Sequence, residues 1–190
     1  MPYGDELIIA QRLANQREKL HTIDNKVYIN GIEYTFARRE FEYGFSMVVP
    51  ELFEEMPKEI IDRKFPSKNS PKIVITSTDN LVSLAFDTYD MDAESIERRV
   101  TGMRAYIKRI SPSNVFFTEG IYELNNGMTV GHFDYRYPVI DGDVYNMTFI
   151  TDLPDAKLIG WFICPLEMQS LWEPLARQMI KTIDVIGKQV

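Results

Sequence analysis

The 190 residues carry 45% hydrophobic, 12% aromatic and 26% charged side chains, a balance that suits one globular domain and excludes a disordered chain. A formal charge of -7 disfavours nucleic acid and anionic membrane surfaces, because phosphate binding depends on Lys and Arg displacing counterions. One cysteine, Cys164, leaves no intrachain disulfide and no multi-cysteine zinc site, and makes a reducing cytoplasm the simpler expectation.

The first ten residues place acids where a signal peptide carries positive charge. No apolar run reaches the roughly 20 residues that span a bilayer, so membrane insertion is not expected. Residues 5–20 carry Ile9, Leu13 and Leu20 on a sparse helical stripe that suits contact with a partner or a second copy. Val27 to Phe36 reads as a hairpin, because Asn30-Gly31 accommodates the positive φ angles of a two-residue turn. That register pairs Val27 with Tyr34 and Ile29 with Ile32, and sets Tyr28 opposite Glu33 on the far face, where an exposed tyrosine suits an interface.

Phe41, Tyr43, Phe45, Met47 and Val49 alternate with polar or small residues, predicting one half-buried strand closed by Pro50. Helical character over residues 51–64 is interrupted at Pro57, and a polar turn spans residues 66–71. Strands are predicted over residues 73–76 and 81–86, joined around Asp79-Asn80. Ile96, Val100, Met103, Ile107 and Ile110 then predict a one-faced helix over residues 92–110, stopped at Ser111-Pro112. Four strands follow, over residues 115–124, 129–137, 144–151 and 158–164, with short links that make them an antiparallel meander. The last is apolar on both faces and requires cover on each side, which predicts a buried Trp161. Leu171, Leu175, Met179, Ile183 and Ile186 predict a closing helix over residues 170–186, with Ser170 and Glu173 at capping-box spacing.

These elements specify an α+β domain built on one twisted antiparallel sheet with helices packed against it. Phe45-Ser-Met-Val-Val-Pro50, the helix from Ile96 to Ile110, the meander, and Trp172, Met179 and Ile183 together resemble the PsbP-like fold family. That family also holds a Ran-binding nuclear import cofactor and bacterial DcrB-type proteins. The resemblance covers roughly Phe41 to Ile186, dividing the chain into a 1–40 extension and a 41–190 PsbP-like domain within one compact unit. It implies a non-enzymatic role in binding another protein, adaptor or chaperone-like, with no cofactor; a homo-oligomer is a further expectation.

The best chemical candidate lies on the strand from Val130 to Tyr137, where alternation places His132, Asp134 and Arg136 on one face. A histidine beside a carboxylate can be oriented as a general base, so the alternative function is a small hydrolase or isomerase using His132 and Asp134 in a pocket on the sheet. The ordinary account of such a row is a face that meets solvent or a helix's polar edge. Cys164 before Pro165 reads as a small apolar filler, and His21 as a helix C-terminal cap. Asp87, Asp90 and Asp92 lack the glycine and terminal glutamate of a calcium loop, so no metal is expected.

Overall fold

The computed structural model describes residues 21–65 and 70–187; the predicted helix with Ile9, Leu13 and Leu20 lies outside them. The predicted hairpin is present as β1 (Val27–Ile29) and β2 (Ile32–Tyr34). Asn30 and Gly31 take φ angles of 50° and 80°, and the pairs Val27 with Tyr34, Tyr28 with Glu33 and Ile29 with Ile32 all form. It makes a two-stranded sheet of its own, with Val27, Ile29 and Tyr34 in the main core.

The alternation from Phe41 to Val49 is not one strand. The chain reverses between β3 (Phe36–Phe41) and β4 (Phe45–Pro50), with Gly44 at φ 74° in the turn. Phe41 pairs with Phe45, their rings stacked 4.9 Å apart. A three-residue reversal returns Phe45 beside Phe41 on the same face, so the apolar period runs through the turn unbroken. The segment after Pro50 gives β5 (Glu54–Glu55), then α1 (Lys58–Lys64), which begins after Pro57. Proline tolerates that place because the first helical N–H groups have no intrahelical acceptor.

β6 (Ile73–Thr76) and β7 (Ser83–Tyr89) flank a turn in which Asn80 takes φ 59°. α2 (Ile96–Ile110) starts four residues later than the predicted 92, because Ser95 is its N-cap and accepts from the Arg98 N–H at 3.4 Å. β8 (Val115–Glu123), β9 (Thr129–Val139), β10 (Gly142–Asp152) and β11 (Lys157–Pro165) form the expected meander. The main sheet has seven antiparallel strands in the order β5-β6-β7-β11-β10-β9-β8.

The closing helix is shorter than predicted. A 3₁₀ turn at Leu166–Met168 precedes α3 (Gln169–Ile180), and the chain then leaves the helix to form β12 (Asp184–Val185) beside β4. Ile183 is buried all the same, so its place in the apolar stripe reflects burial rather than helix. The Ser170 capping box does not form; Glu173 instead accepts from Gln169 and Arg177.

The seven-stranded sheet is covered on both faces. On one lie α3, the hairpin and the three-stranded sheet β12-β4-β3, enclosing Phe45, Phe86, Phe149, Phe162 and Trp172. On the other, α2 packs over Phe133 and Ile150, and α1 brings Ile61 against Val74 and Ala85. The close seat of α2 depends on Gly131, where a Cβ would stand 2.5 Å from methyls of both Ile96 and Val100. Trp161, predicted to be buried, is half-buried in a gap between α1 and α2, whereas Trp172, on α3, is wholly buried.

Candidate binding groove and the buried His132 cluster

Strand alternation does carry His132 and Asp134 to one face of β9, and the face meets α3 rather than solvent. Arg177 reaches down from α3 and stands at both side chains, with Nη1 2.6 Å from His132 Nε2 and Nη2 3.0 Å from Asp134 Oδ2. Asp134 is fully buried and its acceptor capacity is used. Oδ1 takes the Thr118 N–H and hydroxyl, each at 2.7 Å, and Oδ2 takes Arg177 and the Tyr145 hydroxyl at 2.8 Å. The register shift in β8 between Phe116 and Glu119 brings Thr118 to this carboxylate with its N–H as well as its hydroxyl.

Arg177 can only donate, so His132 Nε2 accepts, and the proton of the neutral ring sits on Nδ1. Burial, reinforced by the adjacent guanidinium, lowers the His132 pKa to about 4, with Asp134 opposing. Tyr122 stacks on the imidazole at 4.8 Å, and Gly120 lies so close to it that a Cβ there would come within 2.8 Å of the ring. A general base needs an open lone pair within reach of its substrate, and here the Nε2 lone pair and the carboxylate oxygens are occupied from within the chain. Arg136, the third candidate, sits apart in an ion pair with Asp143.

The other face holds a concavity of about 600 Å³, which neither His132 nor Asp134 lines. Its walls are the C-terminal ends of α1 and α2, contributing Lys64 and Phe65 on one side and Ile107 and Ile110 on the other. The floor is sheet. Ile163 of β11 pairs with Asn146 of β10, and Asn146 with Tyr135 of β9, so these three side chains form one row across the strands, continued outside the groove by buried Ser83 of β7. Trp161 lies in the neighbouring row, and Tyr137 and Pro138 close one end.

The lining is mixed, with Ser70, Ser111, Ser113 and Asn114 at the loops and Lys64 and Asn146 on the elements. Asn146 is only 4% exposed; its Oδ1 accepts from Thr148 at 2.9 Å, and its Nδ2 donates to no described residue. Lys64 Nζ donates to Asn80 O at 2.9 Å and Ser83 Oγ at 3.0 Å, both neutral acceptors. Desolvation lowers its pKa, against a weaker pull from Asp79. Burial also pushes the Tyr135 phenol up to about 12, which keeps it neutral.

No family model and no curated protein matches the sequence. Among solved structures, the chain is similar to cyanobacterial PsbP (CyanoP) from Synechocystis sp. PCC 6803, at TM-score 0.58 and 12% identity over 79% of this chain and 92% of that one. The fold is PsbP-like. A second similar structure is LpqN, involved in cell envelope biogenesis of Mycobacterium tuberculosis, at TM-score 0.51 and 10% identity over 85% of this chain and 89% of that one. At such identities the likeness concerns the PsbP-like architecture alone.

Sequence reasoning missed the groove and Arg177. The signal for Asn146 was present: it stands among Tyr145, Met147 and Phe149 in a strand covered on both faces, a place that disfavours asparagine. Arg177 lies four residues after Glu173 on the closing helix, which marks a polar edge but not its neighbour 45 residues away on β9. Tyr28, by contrast, is 65% exposed, although its hydroxyl is bonded to Glu33. Cys164 is buried, with its thiol pKa raised by burial, and His21 Nδ1 lies 3.2 Å from Leu171 O on α3.

Proposed function

We propose that the protein is a non-enzymatic binding module, adaptor or chaperone-like, that holds a segment of a partner protein in the groove between α1 and α2. The groove carries this reading: it has the volume of a binding site and sets Phe65, Ile107, Ile110, Ile163 and a half-buried Trp161 among polar side chains such as Asn114 and Asn146. Its rim continues into exposed Ile110, Val139 and Ile140, which are common at contact surfaces and unfavourable in water. The hydrolase or isomerase alternative gains nothing from the His132 cluster, whose acceptors are occupied. A second contact through Ile9, Leu13, Leu20 and Tyr28, and a cytoplasmic setting, belong to the same proposal.

Capture from the native host with the wild-type chain and with Ile110→Glu tests it. A partner held by the wild type and lost from Ile110→Glu, with the thermal midpoint unchanged, supports the reading. Identical sets on both forms overturn it. Deleting residues 1–20 in parallel tells whether that segment makes the second contact, by loss of association at unchanged stability.

A further inference from the structure

We infer that Asn30-Gly31, at the tip of the β1–β2 hairpin, is a self-modification site: Asn30 loses its side-chain amide through a succinimide, and the isoaspartyl product loosens the hairpin. An asparagine followed by glycine is open to this chemistry, because the next backbone nitrogen has no side chain beside it to hinder its approach. The chain contains two such pairs, Asn30-Gly31 and Asn126-Gly127. Both are exposed in hairpin turns, with the glycines at φ 80° and 81°.

Their hydrogen bonds set them apart. Asn126 is clamped through both ends of its amide: Nδ2 donates to Ile183 O at 3.0 Å and Asp184 Oδ1 at 2.9 Å, and Oδ1 accepts from the Met128 N–H at 3.1 Å. The attacking nitrogen is held as well, since the Gly127 N–H donates to Leu124 O at 2.9 Å. At the other pair neither reactant is held. Among the described residues the Asn30 side chain makes no hydrogen bond, and the Gly31 N–H donates to no backbone acceptor. No atom stands within 4 Å of where a Cβ would lie on Gly31, so rotation about the Asn30 Cα–C bond has room.

The reaction needs only base and water. Base removes the Gly31 amide proton, the nitrogen attacks Asn30 Cγ, and the bond from Cγ to the side-chain nitrogen breaks, releasing ammonia as that nitrogen takes up a proton. Water then adds to one of the two succinimide carbonyls. Opening at the side-chain carbonyl restores the ordinary backbone with aspartate at position 30. Opening at the main-chain carbonyl leaves the chain running through Cβ and Cγ, with the former backbone carbon as a free carboxylate.

The two products differ in what they do to the fold. An Asp-Gly turn takes the same positive φ angles as Asn-Gly, so the aspartyl form keeps the hairpin. The isoaspartyl form adds a main-chain atom between Ile29 and Ile32, whose pairing depends on a two-residue link. That hairpin seats Val27, Ile29 and Tyr34 in the core beside Trp172. The exposed α-carboxylate is also the group that an isoaspartyl carboxyl methyltransferase esterifies, with S-adenosylmethionine as methyl donor.

Incubation of the full chain in mildly alkaline buffer, followed by peptide mapping and enzymatic methylation of isoaspartate, tests this. Amide loss at Asn30 is expected at least about tenfold faster than at Asn126, whose reactants must first be released by local opening. Asn30→Gly, which keeps a hairpin-forming Gly-Gly turn, should abolish isoaspartate in the hairpin. Asp184→Ala, which removes one acceptor of Asn126 Nδ2, should speed loss at Asn126 about twofold or more. The purified isoaspartyl form should melt about 3 °C or more below the untreated chain, whereas Asn30→Asp melts with it. Equal rates at the two pairs, or faster loss at Asn126, overturn the site. An isoaspartyl form that melts with the untreated chain overturns its effect on the hairpin.

Discussion

At the residue scale, Asp134 and His132 are polar groups inside an apolar core, and their burial has consequences for stability rather than for proton transfer. Asp134→Ala removes the carboxylate that Arg177, Thr118 and Tyr145 all address, leaving a guanidinium and three further donors to find other acceptors. Breaking such a pair costs about 3 to 5 kcal/mol, and urea unfolding should show it; a loss below about 1 kcal/mol would mean that the cluster is open to water. For His132 the folded pKa lies below its ordinary value of 6.5, at about 4. Above pH 6.5 neither state is protonated and its contribution is complete. Between 6.5 and about 4 the unfolded chain takes up a proton that the folded chain does not, so stability falls with pH, and below about 4 this loss is finished. The advantage of wild type over His132→Gln should therefore shrink by about 1 kcal/mol from pH 7.5 to 5.5, allowing for solvent screening at the cluster's edge. A pH-independent difference would contradict a neutral buried imidazole.

At the element scale, the sequence was most legible where one period held over a single element. The α2 stripe, the Asn30-Gly31 hairpin and the meander all follow from local pattern and turn chemistry. It was least legible where an apolar period crossed a break: through the reversal at residues 42–44, and from the end of α3 through Ile183. Periodicity reports which side chains are buried, and in both places burial continues while the backbone changes direction. The α2 start is held more firmly than its cap alone suggests. Arg99 and Lys157 are nearly buried there, at 5% and 1% side-chain exposure, against Asp92 and Asp152. Ser95→Ala should therefore cost only about 1 kcal/mol in denaturant unfolding without unseating the helix. The tryptophans separate more widely. Trp172→Ala should cost about 3 to 5 kcal/mol, whereas Trp161→Ala, facing the groove, should cost less than about 2 kcal/mol. Equal losses would mean that the groove is closed.

At the scale of the whole molecule, the fold class was legible because it depends on element types and short connections, whereas the groove draws on α1, α2, β9, β10 and β11 and has no local signature. The same long-range assembly determines how the chain unfolds. Among the described residues the hairpin β1–β2 pairs only with itself, and in isolation a two-stranded hairpin is marginal. Here Tyr34 stands 5.0 Å from Trp172 in an edge-on contact and 6.4 Å from Phe53, and Val27 and Ile29 share the core cluster with Phe162 of β11 and Met179 of α3. β3 crosses residue 40 to pair with β4, and β12 ties the end of α3 to the same small sheet. Opening the hairpin would expose Trp172, so its loss should be inseparable from loss of the main core. Far-UV circular dichroism and the fluorescence of Trp172 in a Trp161→Phe background should give coincident urea midpoints. Tyr34→Ala should lower both together, by an amount equivalent to about 3 to 5 kcal/mol. An early transition that removes strand signal while Trp172 stays buried would show residues 27–40 to be a separate unit.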